Sequence, residues 1–181
     1  MPETTVGDAP RCLEAGALGI GENHTQPGGR QLAIELISSG RVTHLFVELA
    51  HMHYGKPLEN AQEIADQGGD IDAVQMAAPS GNLHQENPIP LSRVIATALT
   101  QKVKVHLADH IVMAYHAEDF ARRHDSIREA FRTVTEQSPD AAVQAVDERC
   151  AGCLLLWGGA HFEKKYALDK YIVNLPFIKM G

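Results

Sequence analysis

The chain has only three cysteines, Cys12, Cys150 and Cys153. That number is odd and too small for a disulfide framework, so the fold must hold without covalent staples, as in a reducing compartment. It also has no run of about 18 apolar residues, which excludes an ordinary membrane-spanning helix. Its first residues, Met1 to Asp8, contain no basic region followed by an apolar core, so no signal peptide is predicted. A cytoplasmic location is the expectation, and delivery into a host cytosol without a signal peptide would leave the same composition. Basic clusters are absent and the formal net charge is −7, which excludes the electrostatic footprint of a binder of nucleic acid or anionic lipid. There is no internal repeat and no low-complexity tract. Gly19-x-Gly21 lacks the third glycine of a dinucleotide fingerprint, and neither Ser92 nor Ser138 stands in a nucleophile elbow.

What is present is a chain of 181 residues, 44% hydrophobic and 22% charged. This predicts one domain, 1–181, able to bury roughly 70% of the surface of its unfolded form. Ala17-Leu-Gly-Ile-Gly-Glu-Asn-His24 reads as a buried strand with a polar tip, followed by the breakers Pro27-Gly28-Gly29. Leu32, Ala33, Leu36 and Ile37 then recur at helical spacing up to Gly40, and Thr43 to Leu49 is a β-prone apolar run containing Glu48. Together these predict a strand–helix–strand unit with parallel strands. Residues 50–90, rich in Gly and Pro, read as a long crossing segment with weak helical pieces, a lid or insertion carrying His51, His53 and His84.

Leu91, Val94, Ile95, Ala98 and Leu99 mark an amphipathic helix, and Lys102 to Asp109 a third strand ending in an acid beside His110. Helices are predicted from about Val112 to Arg123, again from Ser126, where Ser126 and Glu129 have capping-box spacing, and once more from Ser138-Pro139 with Ala142, Val143 and Val146 inward. Cys153 to Trp157 is the most hydrophobic run and ends in Gly158-Gly-Ala-His161; Lys170 to Phe177 is a β-prone tail in which Pro176 predicts an edge strand or a stop. Residues 1–15 carry no clear assignment beyond a short turn of helix at Arg11–Ala15. The fold class is therefore α/β, a mostly parallel central sheet of about four to five strands flanked by helices, with a long lid-like segment after the second strand.

Parallel strands share one carboxyl edge, so the tips carrying Glu22, His24, Glu48, Asp109 and His161 converge there. Two imidazoles with carboxylates in one cleft can coordinate a divalent metal that activates water, or act as general base and electrostatic partner without metal. Each tip residue taken alone can equally be a cap or a solvated loop residue. Glu48 resists that reading because it lies inside Phe-Val-Glu-Leu, where a carboxylate is costly unless paired. His44 and His106 read as satisfied sheet-face histidines, and His116 and His124 as solvated helix residues. His51 and His53 could add ligands from the lid or be ordinary loop histidines. Cys150-Ala-Gly-Cys153 has half-site spacing, but it precedes a strand, and a buried structural role is expected.

Gly21-Glu-Asn-His24 and Gly158-Gly-Ala-His161 form a pair of Gly-x-x-His motifs, each following a strand, with Glu48 in the strand between. This resembles the TIKI/TraB group and its relatives, the erythromycin esterases and the ChaN-like haem-binding proteins, over roughly the first 50 residues and the last 30. Similarity to the TIKI members implies a metallopeptidase with His24, His161, Glu22 and Glu48 as ligands of Mn, Co or Zn. Similarity to the esterases implies water activation by a histidine and glutamates without an obligate metal. The ChaN-like relatives imply a haem or small-ligand module, and bacterial toxin and effector domains of this fold imply action on a host protein. The expectation is a hydrolase of a small-molecule or peptide substrate, peptidase- or esterase-like, with Glu22, His24, Glu48 and His161 catalytic. Arg30 would clamp a substrate anion, while Asp109, His51 and His53 would contribute to substrate binding, Asp109 also as an additional ligand or behind the ligands.

Overall fold

The computed structural model describes residues 2–81, 86–109, 117–138, 143–163 and 168–181. Five parallel strands form the central sheet: β1 (Ala17–Glu22), β2 (His44–Ala50), β3 (Lys104–Asp109), β5 (Cys153–Gly158) and β7 (Phe177–Lys179), in the spatial order β3-β2-β5-β1-β7. Every residue of β1 and of β5 is buried. Their unbroken apolar runs have this origin, since a strand covered on both faces has no solvent side to mark by alternation.

One face of the sheet carries α1 (Ala9–Ala15), α2 (Gly28–Ser38), α3 (His51–Asp66), α4 (Ile71–Ala77) and α5 (Leu91–Thr100), packed over Leu18, Ile20, Leu45, Val47, Leu154 and Leu156. The opposite face carries α6 (Ala117–Thr135), whose Ile127 and Phe131 pack with Phe46, Leu155 and Trp157. Two short strands, β4 (Val143–Gln144) and β6 (Ile172–Val173), pair in a separate sheet on that side. After β1 and β2 the chain passes to the first face, whereas after β5 it passes to the second. The carboxyl ends of β1, β5 and β2 therefore lie at a topological switch point, where open α/β sheets bind their ligands.

Several expectations are corrected. Residues 50–77 are more regular than their glycines and prolines implied: α3 runs for 16 residues with Pro57 inside it, and Leu58, Ala61, Ile64 and Val74 pack against the core. The far end of this segment does return to the strand tips, with Asn87 Nδ2 donating to the Gln26 carbonyl at 2.8 Å. Residues 117–135 form one helix rather than two. Ser126 caps nothing; its hydroxyl donates to the Arg122 carbonyl within α6. No helix continues into Val143–Gln144, which is a strand paired with Ile172 and Val173, and Val146, expected inward, is exposed. Residues 1–15, left without clear assignment, hold a 3-10 turn at Val6–Asp8 and then α1. The tail gives two strands, β6 and the edge strand β7, on either side of Pro176. His84, His110, His116 and the segment 139–142 lie outside the described residues. Among the described residues, no helix is long and apolar enough to cross a membrane.

Candidate functional site

The site is built on the last residue of β1. Glu22 is buried, and the chain reverses at Pro27 so that the first turn of α2 lies against it. A side chain at Gly29 would stand 2.7 Å from Glu22 Cβ and 3.2 Å from its Cα, so glycine permits this approach. The return brings Arg30, which has no exposed surface, back over the carboxylate. Nε donates to Glu22 Oε2 at 3.0 Å, Nη2 to Oε1 at 3.2 Å, and Nη1 to the Ile89 carbonyl at 2.8 Å. His24 Nδ1 meets Glu22 Oε1 at 2.8 Å. Burial alone would raise the Glu22 carboxyl, but hydrogen bonds from His24 and Arg30 outweigh it and hold the group below its usual range.

Glu48 is placed by an irregularity in β2, whose register with β3 shifts between Val47 and Ala50. Such bulges re-aim a side chain, and here the carboxylate meets donors from three elements. Gly158 N–H of β5 donates to Oε2 at 2.7 Å, Arg123 Nη2 of α6 donates to Oε1, and His161 Nε2 lies 3.3 Å from Oε1. His24 Nε2 is 3.8 Å from Oε2. Burial works to raise this carboxyl too, and the hydrogen bond from His161 together with the charge of Arg123 overcomes it, holding Glu48 far below the carboxylate range. For His24 the balance runs the other way. Burial lowers it, but the hydrogen bond to Glu22 and the charge of Glu48 prevail and raise it above 6.5.

Arg123 closes the cluster. It holds Asp109 bidentately, Nε to Oδ1 and Nη2 to Oδ2, both at 2.8 Å, and its guanidinium lies 5.6 Å from the Trp157 ring. Planar two-point pairing of this kind orients a carboxylate as well as neutralising it. His161 is buried in the 3-10 turn Gly159–Phe162, and its Nδ1 lies 3.1 Å from Nε2 of His124.

Glu22, His24, Glu48, Asp109 and His161 thus meet at one sheet edge, as the tips implied, and both motif histidines reach Glu48. Arg30 belongs to the same edge but is buried against Glu22. His51 and His53 lie in the first turn of α3 and are exposed, with the His51 ring beside Gly55 of its own helix and the His53 ring 6.3 Å from that of Tyr54. Two residues escaped sequence reasoning, Arg123 and His124. His124, expected to be solvated, has no exposed surface. The available signal was the spacing 120-124-127-131, which puts His124 on the same helical stripe as Ile127 and Phe131. Starting a new helix at Ser126 cut that stripe in two.

Whether a divalent metal fits is decided by the donors. The Glu22 oxygens accept from His24 and Arg30, the Glu48 oxygens accept from Arg123 and Gly158, and Nδ1 of each motif histidine faces another side chain. The Glu22 and Glu48 carboxylates are already paired with Arg30 and Arg123, so the set does not fit a metal as arranged. Among the described residues no group of three or more His, Cys, Asp or Glu is set to hold one. Fold and site together define the class: a parallel α/β protein with a buried carboxylate–arginine scaffold presenting one accessible histidine at the switch point. Comparison with family models, with curated proteins and with solved structures finds no match.

Proposed function

We propose that the chain is a hydrolase, esterase- or peptidase-like, in which His24 is the general base. The observation that carries this reading is the arrangement of His24. Its side chain is 32% exposed, while the Glu22 that holds its Nδ1 is buried and pinned by Arg30. In the neutral ring the proton held by Glu22 is on Nδ1 and the lone pair is on Nε2, the nitrogen on the Glu48 side, 3.8 Å from Oε2. A water attacking an ester or amide carbonyl gives its proton to Nε2. The imidazolium so formed lies between Glu22 and Glu48, two ionised carboxylates, and returns the proton to the leaving group as the tetrahedral intermediate collapses. The Glu22 role is that of the buried acid in a Ser-His-Asp triad, orienting and stabilising the base without being protonated itself. The Glu22–Arg30 and Glu48–Arg123–Asp109 pairs fix this geometry before substrate arrives, which is where preorganised electrostatics acts.

The test is turnover of chromogenic esters and fluorogenic peptides by wild-type protein and by His24→Ala. Turnover that vanishes with His24 supports the reading. Its absence in wild-type protein together with a Soret band on titration with haem would replace it by a binding module.

A further inference from the structure

His124 takes no part in the chemistry above, yet it is buried in the same cluster. One of its nitrogens, Nδ1, has no hydrogen-bond partner among the described residues. Its ring makes T-shaped contacts with Phe120 at 6.2 Å and Tyr171 at 5.5 Å. Burial, with the Arg123 charge adding to it, pushes its pKa down to about 3, so the ring is neutral. A buried imidazole with one nitrogen unsatisfied is destabilising compared with an apolar residue of the same shape. What the imidazole adds there is its one bond, to His161.

The direction of that bond follows from Glu48. This carboxylate is ionised between the Arg123 guanidinium and the Gly158 N–H, so His161 Nε2, 3.3 Å away, must face it with a proton. A neutral His161 then has its lone pair on Nδ1, and His124 Nε2–H at 3.1 Å is the donor that meets it. The reverse direction would put a second cation beside Arg123 in the same buried cluster and leave a bare N–H on His124.

We propose that His124 is a positioning residue: by donating to His161 Nδ1 it keeps the His161 proton on Nε2, and so holds Glu48 turned towards His24. Without that donor the His161 ring can carry its proton on Nδ1. Its Nε2 lone pair then opposes Glu48, and the carboxylate loses one of the contacts that fix it. The kinetic consequence rests on the hydrolase reading; the proton placement does not.

The test uses 15N-labelled full-length protein as wild type, His124→Phe and His124→Gln, the glutamine keeping a side-chain N–H. In long-range 1H–15N spectra His161 is expected as a single Nε2–H tautomer in wild type and in His124→Gln, and as a mixture in His124→Phe. A 15N–15N coupling across the hydrogen bond, with its proton on His124 Nε2, is expected in wild type. With p-nitrophenyl acetate, His124→Phe is expected to lose about tenfold to a hundredfold in kcat at unchanged KM, the loss typical of a misplaced catalytic group, and His124→Gln to recover most of it. A wild-type His161 proton on Nδ1, or a His124→Phe protein with His161 unchanged, would overturn the proposal. If His124→Phe does not fold, the wild-type tautomer and coupling decide. Wild-type protein that turns over neither ester nor peptide would defeat the hydrolase reading and leave the tautomer result to judge His124 alone.

Discussion

Two pairs of hydrogen-bonded imidazoles occur among the described residues, and they sit in opposite electrostatic settings. His44 Nδ1 and His106 Nε2, on neighbouring strands β2 and β3, are 2.9 Å apart, and His124 and His161 are 3.1 Å apart. The first pair lies part-buried on a sheet face, stacked at 5.1 Å between ring centroids, with His106 also stacked on Phe46. The charge acting on it is the cation of Lys104, and burial with that cation and His44 pushes His106 down to about 4. The second pair ends on an ionised glutamate, itself held by an arginine and facing a third histidine whose pKa is raised. The bonding is alike. What separates a packing element from a candidate site is the supply of buried carboxylates, and among the described residues these lie at strand tips.

The sharpest way to break this contrast is to remove one histidine from each setting. Losing a general base costs roughly a hundredfold to ten-thousandfold in rate. His24→Ala is expected to lose turnover on that scale with thermal unfolding nearly unchanged, because the side chain is accessible. His106→Phe is expected to keep turnover, and equal losses in both would erase the distinction. Next in size is the scaffold. Arg30→Met leaves the buried Glu22 charge without its cation, and breaking a buried pair in this way costs about 3–5 kcal/mol, measured as a lower urea midpoint. Gly158→Ala follows: its new methyl would stand 2.7 Å from His24 Nε2 and 3.2 Å from Glu48 Oε2, so about tenfold to a hundredfold in turnover should go with little change in stability.

pH separates the two settings further. In turnover, His24 is the base only when deprotonated, so activity should rise with pH through a value above 6.5, the ordinary histidine value that its carboxylates raise. In stability, the fold keeps His106 neutral down to about 4, while the unfolded chain takes up the proton from 6.5. Stability therefore falls as pH is lowered from 6.5 to about 4, and His106→Phe should flatten the slope. Glu22 and Glu48 act in the same direction at lower pH. Their folded values are depressed below 4.5, so their contribution is complete above 4.5 and is lost only as pH drops through those lower values. The smallest effect expected is the neutral hydrogen bond of the His44–His106 pair itself, about 1 kcal/mol in a urea midpoint at pH 8.

The strands and their tips were legible because burial on both faces writes a strand as an apolar run, and Glu22, Glu48, Asp109 and His161 interrupt or end such runs. Convergence then followed from parallel topology alone. The arginines were harder to read. Arg30 was placed on the right helix, yet its direction depends on Gly29 letting α2 close onto Glu22, a tertiary approach with no local signal. Arg123 and His124 were hidden because a polar residue on a helix reads as solvated unless the stripe through it is followed across the whole helix. Val143–Gln144 read as helix because a two-residue strand has no period of its own and exists only through its pairing with Ile172 and Val173.

The most direct test of the central claim, that His24 works as a base on a carboxylate–arginine scaffold, is hydrolysis of p-nitrophenyl acetate before and after chelation. The protein would be purified without affinity nickel, with its metal content measured alongside. Full activity after chelation in wild type, and none in His24→Ala, is the expected result. Stoichiometric Mn, Co or Zn whose removal abolishes activity and whose return restores it would contradict it.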